Sequence, residues 1–237
     1  MPDIARSPAL PSRSNRLLDA VMIGLPDAIT SACCLWVWIN PMALGTDAVK
    51  CVVLMMLMEF ILLNATGFFT AIPFMVDLGR TTRFAMLLGL CLVYLALIAG
   101  FAIPFHAIWP YFTFGWLAAA KLAWIARNRR VSASEQMWLT GTWAVSVVAY
   151  LGAAGIGLTG NLPRLGIVPS IVPSLHLPMD GAWMKTPHEA VAAAVFYFAA
   201  VAIFKWLYVA FRKNQPVRGQ GQDADSGSAN GFDPVVD

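Results

Sequence analysis

Asp27, Glu59, Lys121 and Lys205 fall inside otherwise apolar stretches of this 237-residue chain, and Asn64 lies five residues beyond Glu59. A charge at the centre of a bilayer costs a few kcal/mol on insertion scales, so such groups face protein or water rather than lipid. Two acids and two bases of this kind can make a proton or ion relay, or a polar substrate site. They can also be purely structural, with the acids hydrogen-bonded between helices and the lysine stems carrying their ammonium groups to the interface. At about 1.5 Å rise per residue, Asp27 and Glu59 come near mid-membrane, and both lysines sit roughly 6–8 Å toward one face. Asp27 can then pair with either lysine, and Glu59 less easily. Both acids are expected to point into a bundle. Asn64 lies about 140° around the helix from Glu59. It keeps helical spacing with Gly67 and Ala71, a close-packing face, so Glu59 should look to another neighbour.

Other chemistry finds less support. Pro26-Asp27 resembles the broken helices that line transporter sites, but no matching interruption follows three segments later, so an inverted repeat is not supported. The run Met55, Met56 and Met58, with Met75 and Cys51, offers soft ligands. Neighbouring positions point in different directions around a helix, so packing is the better reading. His106, His176 and His188, with Asp180 and Glu189, share one side of the chain map but lack regular metal spacing. Cys33, Cys34, Cys51 and Cys91 form no CxxC pair and read as small buried hydrophobes, with a Cys34–Cys51 disulfide as the sharper alternative. No HExxH, GxSxG, P-loop or GxGxxG occurs. No catalytic signature and no cofactor are expected.

The elements that must position these groups are apolar helices. The chain is 59% hydrophobic and 12% charged, with a mean hydropathy of +0.67. A soluble domain carries about 25% charged residues. The stretch from Ala48 to Val76 is long enough to cross a hydrocarbon core about 30 Å thick, and the other helices should pack around it. The remaining segments run from Leu17 to Ile39, Phe84 to Ile103, Trp109 to Ala126, Ala133 to Leu158 and Pro187 to Phe211. Pro26 should kink the first. Ser132 to Glu135 and Thr186 to Glu189 read as helix starts, the latter with Pro187 at the first helical position. Small residues four apart, Gly115 with Ala119, Ala96 with Gly100, Ala153 with Gly157 and Ala190 with Ala194, let helices approach closely. The loop 160–186 is both proline-rich and apolar, and is expected on the membrane surface or over the bundle.

These readings combine into an all-α polytopic bundle of about six transmembrane helices. Residues 1–16 form a cytoplasmic N-terminal segment, 17–211 the transmembrane domain, and 212–237 a disordered tail too polar to order itself. A cleaved leader is not expected, because Asp19, Pro26 and Asp27 interrupt the first apolar run. Arg6, Arg13, Arg16, Arg80, Arg83, Arg127, Arg129, Arg130, Arg212, Lys213 and Arg218 lie on one side of this map, against Lys50, Arg164 and Lys185 on the other. Positive residues collect inside, so both termini should face the cytoplasm of a small inner-membrane protein. The expected partners are the lipid bilayer and other membrane proteins. No basic groove interleaved with aromatics invites nucleic acid. Three functions remain open: a non-enzymatic binding or accessory membrane protein, a small transporter or proton-coupled permease built on Asp27 and Glu59, and an intramembrane enzyme acting on lipid.

Overall fold

The computed structural model describes residues 13–45, 47–71, 79–126, 133–178 and 180–212. Within them the chain forms seven helices: α1 (Arg13–Ile39), α2 (Ala48–Ala71), α3 (Arg80–Ala102), α4 (Trp109–Ala126), α5 (Ala133–Leu158), the single turn α6 (Ala182–Lys185) and α7 (Pro187–Arg212). No strand occurs among the described residues. Five of the helices are long and apolar enough to cross a membrane, with spans Val21–Ile39, Ala48–Ala71, Thr81–Ala102, Leu139–Gly157 and Pro187–Tyr208. The sixth long helix, α4, has the expected bounds and 18 residues. Its length of roughly 27 Å is short for a full span, and Pro110, Tyr111, Thr113 and Lys121 dilute its apolar character. Five of the six expected spans therefore qualify by apolarity, and α4, the shortest and most diluted of the six, packs against α2 and α3.

The polar flanks are more helical than expected. Helix α1 starts at Arg13, a turn before Leu17, and α3 starts at Arg80 rather than Phe84. Arginine is a good helix former, so a polar flank does not itself end a helix. Pro26 stays within continuous helix, and the Thr30 hydroxyl donates to its carbonyl at 2.8 Å. The stretch expected to extend α2 to Val76, the first twelve residues, and the tail from 213 lie outside the described residues.

Helix α2 is apolar on every side, which suits an element buried on several faces. Val49, Val52, Val53 and Met56 enter one core with α1, α5 and α7. Leu54, Met58, Ile61, Ala65 and Phe69 enter a second core with α3 and α4. Met56 and Met58 therefore face opposite cores. Helix α2 has the neighbours expected of a central helix, but it shares that place with α7. The first turns of α7, from Pro187 to Ala194, are wholly buried, and Ala190, Ala192, Ala193 and Ala194 carry side chains small enough for close approach. Gly157 meets the Glu189 carbonyl, with 3.2 Å left for a would-be Cβ. Two of the expected small pairs thus mark real contacts. At Gly100 and Gly115 nothing lies within 4 Å of a would-be Cβ, so the other two pairs do not.

The loop 160–186 lies over the end of the bundle. Ile167 and Leu175 are fully buried in the first core. The Gly166 amide donates to the Trp38 carbonyl at 3.0 Å, and the Trp38 indole donates to the Pro163 carbonyl at 3.1 Å. These bonds satisfy a carbonyl that the end of α1 leaves without an intrahelical partner, and no Cβ would fit at Gly166. Helix α7 starts at Pro187 as expected, but Thr186 caps it differently. The Thr186 amide donates to Ala182 at 2.9 Å, so it is not free for the Glu189 carboxylate. That carboxylate instead sits 2.7 Å from the Thr186 hydroxyl.

Gly67 lies under the Trp143 indole, with 2.8 Å between the ring and a would-be Cβ. Gly67→Leu should lower stability by roughly 1–3 kcal/mol through overpacking. Gly100→Ala meets nothing and should raise stability by roughly 0.5–1 kcal/mol. Thermal unfolding in detergent reads both, and equal effects would contradict this packing.

Candidate functional site

The polar side chains inside the bundle converge where α1, α2, α5 and α7 meet. Helices α1 and α7 run antiparallel: Gly24 meets Trp206, Asp27 meets Lys205, and Ser31 meets Val195. A side chain at Gly24 would occupy the space of the Trp206 indole, so glycine there lets the two helices close. That closeness brings Lys205 Nζ to Asp27 Oδ2 at 2.6 Å, with the two side chains 25% and 17% exposed. Asp27 therefore takes Lys205 of the two lysines open to it. The side chain of Lys121 lies outside the described residues.

Glu59 projects from α2 toward the same junction. The Tyr197 hydroxyl, on α7, donates to its Oε1 at 2.5 Å. Tyr197 is buried, and its ring meets that of Tyr150 edge-on at 5.7 Å. Tyr150, from α5, donates to the Met56 carbonyl at 3.0 Å, one turn before Glu59. Asp27 and Lys205 are near enough to add to the field at Glu59. Asp27, Glu59 and Lys205 thus share one polar junction with Tyr197 and Tyr150.

Asn64 does not join them. Its amide donates to the Phe60 carbonyl of its own helix at 2.7 Å. The backbone beside it takes part elsewhere: the Trp143 indole of α5 donates to the Leu63 carbonyl at 2.9 Å, over Gly67. The face through Gly67 is therefore a packing face, and Glu59 looks to a different neighbour.

The cysteine and histidine alternatives gain nothing. Cys34 is buried against α7 while Cys51 is exposed, and all four thiols are free, so the Cys34–Cys51 disulfide is not made. His106 and His176 are exposed, on left-handed backbone, whereas His188 is buried. Among the described residues no three His, Cys, Asp or Glu side chains could hold a metal.

The tyrosines are the part of the junction that ionisable residues alone did not indicate. A signal existed, since a tyrosine deep in an apolar helix needs a partner for its hydroxyl. Ser31 belongs with them, donating to the Val195 carbonyl at 2.9 Å. Chemically the junction can hold helices together, and it can hold a small positive charge. No family model, curated protein or solved structure matches this chain.

Breaking a buried ion pair from one side costs about 3–5 kcal/mol, because the remaining charge is left unpaired. Lys205→Met should therefore lose far more stability than the double variant Asp27→Asn/Lys205→Met. A thermal double-mutant cycle checks this, and additive losses would mean that the pair is not coupled.

Proposed function

We propose that this chain is a non-enzymatic integral membrane protein, a binding or accessory subunit, whose intramembrane polar groups clamp its helices together. One observation carries this reading: the polar side chains at the junction are spent across helices. Asp27 is joined to Lys205, Glu59 to Tyr197, Tyr150 to the Met56 carbonyl, and Ser31 to the Val195 carbonyl. Where lipid replaces water, each such group costs several kcal/mol if left alone. Pairing across helices turns that cost into a reason for the bundle to form. The arrangement of Lys and Arg supports an inner membrane with both termini in the cytoplasm, an orientation that takes α4 as a sixth crossing beside the five more apolar spans. The exposed apolar side chains Phe112, Trp116 and Val148 suit lipid or other membrane proteins.

A second reading, a small proton-coupled permease, rests on a different observation. Asp27 has a cation of its own, whereas the partner of Glu59 is a neutral phenol. An uncompensated acid inside a membrane protein marks a route for protons or ions.

Two measurements follow. Under the clamp reading, Glu59→Leu should lower abundance and thermal stability by about 1–3 kcal/mol, since it strands the Tyr197 hydroxyl. Glu59→Gln keeps an acceptor and should stay close to the parent. A harmless Glu59→Leu would refute the clamp. Reporter fusions at Asn128 and at Gly181 should mark opposite sides of the membrane, and a common side would overturn the proposed orientation.

A further inference from the structure

The junction holds two carboxyl groups and one ammonium. Lys205 lies on Asp27 at 2.6 Å, so its charge is already matched. Glu59 Oε1 receives the Tyr197 hydroxyl, and among the described residues Oε2 has no hydrogen-bond partner. The described titratable groups facing this carboxyl are Asp27 from α1, Tyr150 from α5, and Tyr197 and Lys205 from α7. Helices α3 and α4 bring Cys91, Tyr94 and Tyr111 to the core on the other side of α2. The only cation among the groups facing Glu59 is thus committed elsewhere, and one positive charge is missing.

A metal ion is a poor candidate for that charge. Hard cations gather about six or more oxygen ligands. Here the Met56 carbonyl already receives Tyr150, so the Glu59 carboxyl and the Tyr197 hydroxyl oxygen supply far fewer oxygens than six. A proton needs only one free oxygen, and Oε2 supplies it.

We propose that the Glu59 carboxyl is a proton-binding site that exchanges with water, and that Tyr197 is the residue that positions it. The inference deepens the permease reading and rests on it for any role in transport. In the binding step, a hydronium ion gives its proton to Oε2, one O–H bond forms, and water leaves. Release is the reverse, and no electron pair leaves the carboxyl. Tyr197 keeps its own proton and fixes Oε1, so Oε2 is the oxygen that titrates.

Infrared difference spectra of the full chain in lipid nanodiscs, taken as pH is lowered, test this. The wild type should gain a carboxylic C=O component that Glu59→Gln lacks. Tyr197→Phe should keep that component but move its frequency and its midpoint pH, an effect that a merely structural role for Tyr197 would not produce. A wild-type spectrum without the component, or one that survives in Glu59→Gln, overturns the inference. If Glu59→Gln does not fold, Tyr197→Phe decides: a moved component supports the proposal and an unmoved one overturns it. A second arm uses vesicles holding a pH-sensitive dye under an imposed potassium gradient. Flux lost in Glu59→Gln supports both the site and the permease. An intact Glu59 component without flux upholds the proton site and overturns the permease reading alone.

Discussion

The bundle is organised by the need to match two acids inside an apolar interior. Lipid cannot solvate them, so their partners must come from other helices. Those partners both lie on α7, which supplies Lys205 to Asp27 and Tyr197 to Glu59. The first and last long helices of the chain are thereby drawn into one antiparallel pair, and α2 is held against it. A chain with the same apolar content but no such groups would have little to choose among helix orders, because lipid tails are as apolar as leucine.

Close packing makes those bonds geometrically possible. Gly24 lets the Trp206 indole lie on α1, and Gly67 lets the Trp143 indole lie on α2. In each case the ring nitrogen bonds a carbonyl of the helix it covers: Val21 at 3.4 Å for Trp206, Leu63 at 2.9 Å for Trp143. Small residue and large ring are complementary, so the seam is filled and the indole N–H is used. The second core, around α3 and α4, depends on aromatic contacts instead: Phe69, Tyr94 and Phe114 lie about 6 Å apart in a cluster without ion pairs of its own among the described residues. Among the described residues, the groups gathered at the junction, Asp27, Glu59, Tyr150, Tyr197 and Lys205, lie on the helices of the first core.

Much of this architecture was legible in the residues. Proline, glycine and capping patterns placed α4, α5 and the start of α7, because such signals are local in the chain. The cost of burying charge was enough to turn Asp27 and Glu59 inward. Three features were not legible, for separate reasons. Which of two lysines meets Asp27 depends on how α1 and α7 pack, which periodicity does not specify. Asn64 is near Glu59 in sequence, yet an amide can satisfy itself on its own helix at i−4, and it does. Tyr197 sits among phenylalanine and alanine as one more bulky ring, and only the structure shows its hydroxyl meeting a carboxylate. The central place of α7 was missed for a related reason: its run of alanines reads as bland, while among the described residues Pro187 to Ala194 is the longest continuously buried stretch.

Placing both acid partners on one helix has a mechanical consequence. Tyr197 and Lys205 are eight residues apart on α7, about 12 Å along its axis, so a slide of α7 would disturb both bonds together. The seam opposes such a slide, since the Trp206 ring is seated in a space that only Gly24 leaves open, and the carbonyl of Glu189 lies against Gly157. Packed seams of this kind are stiff rather than continuously deformable. Change at the junction is therefore cheapest at the scale of a side chain: a hydroxyl turning, a carboxyl oxygen gaining or losing a proton, an ammonium tilting between acids. Helix motion would require Ser31, Asp27 and Glu59 to give up their α7 partners at once. The design favours a site whose state changes by proton position within a fixed bundle, and it makes Glu59, the acid without a cation, the place where that change costs least.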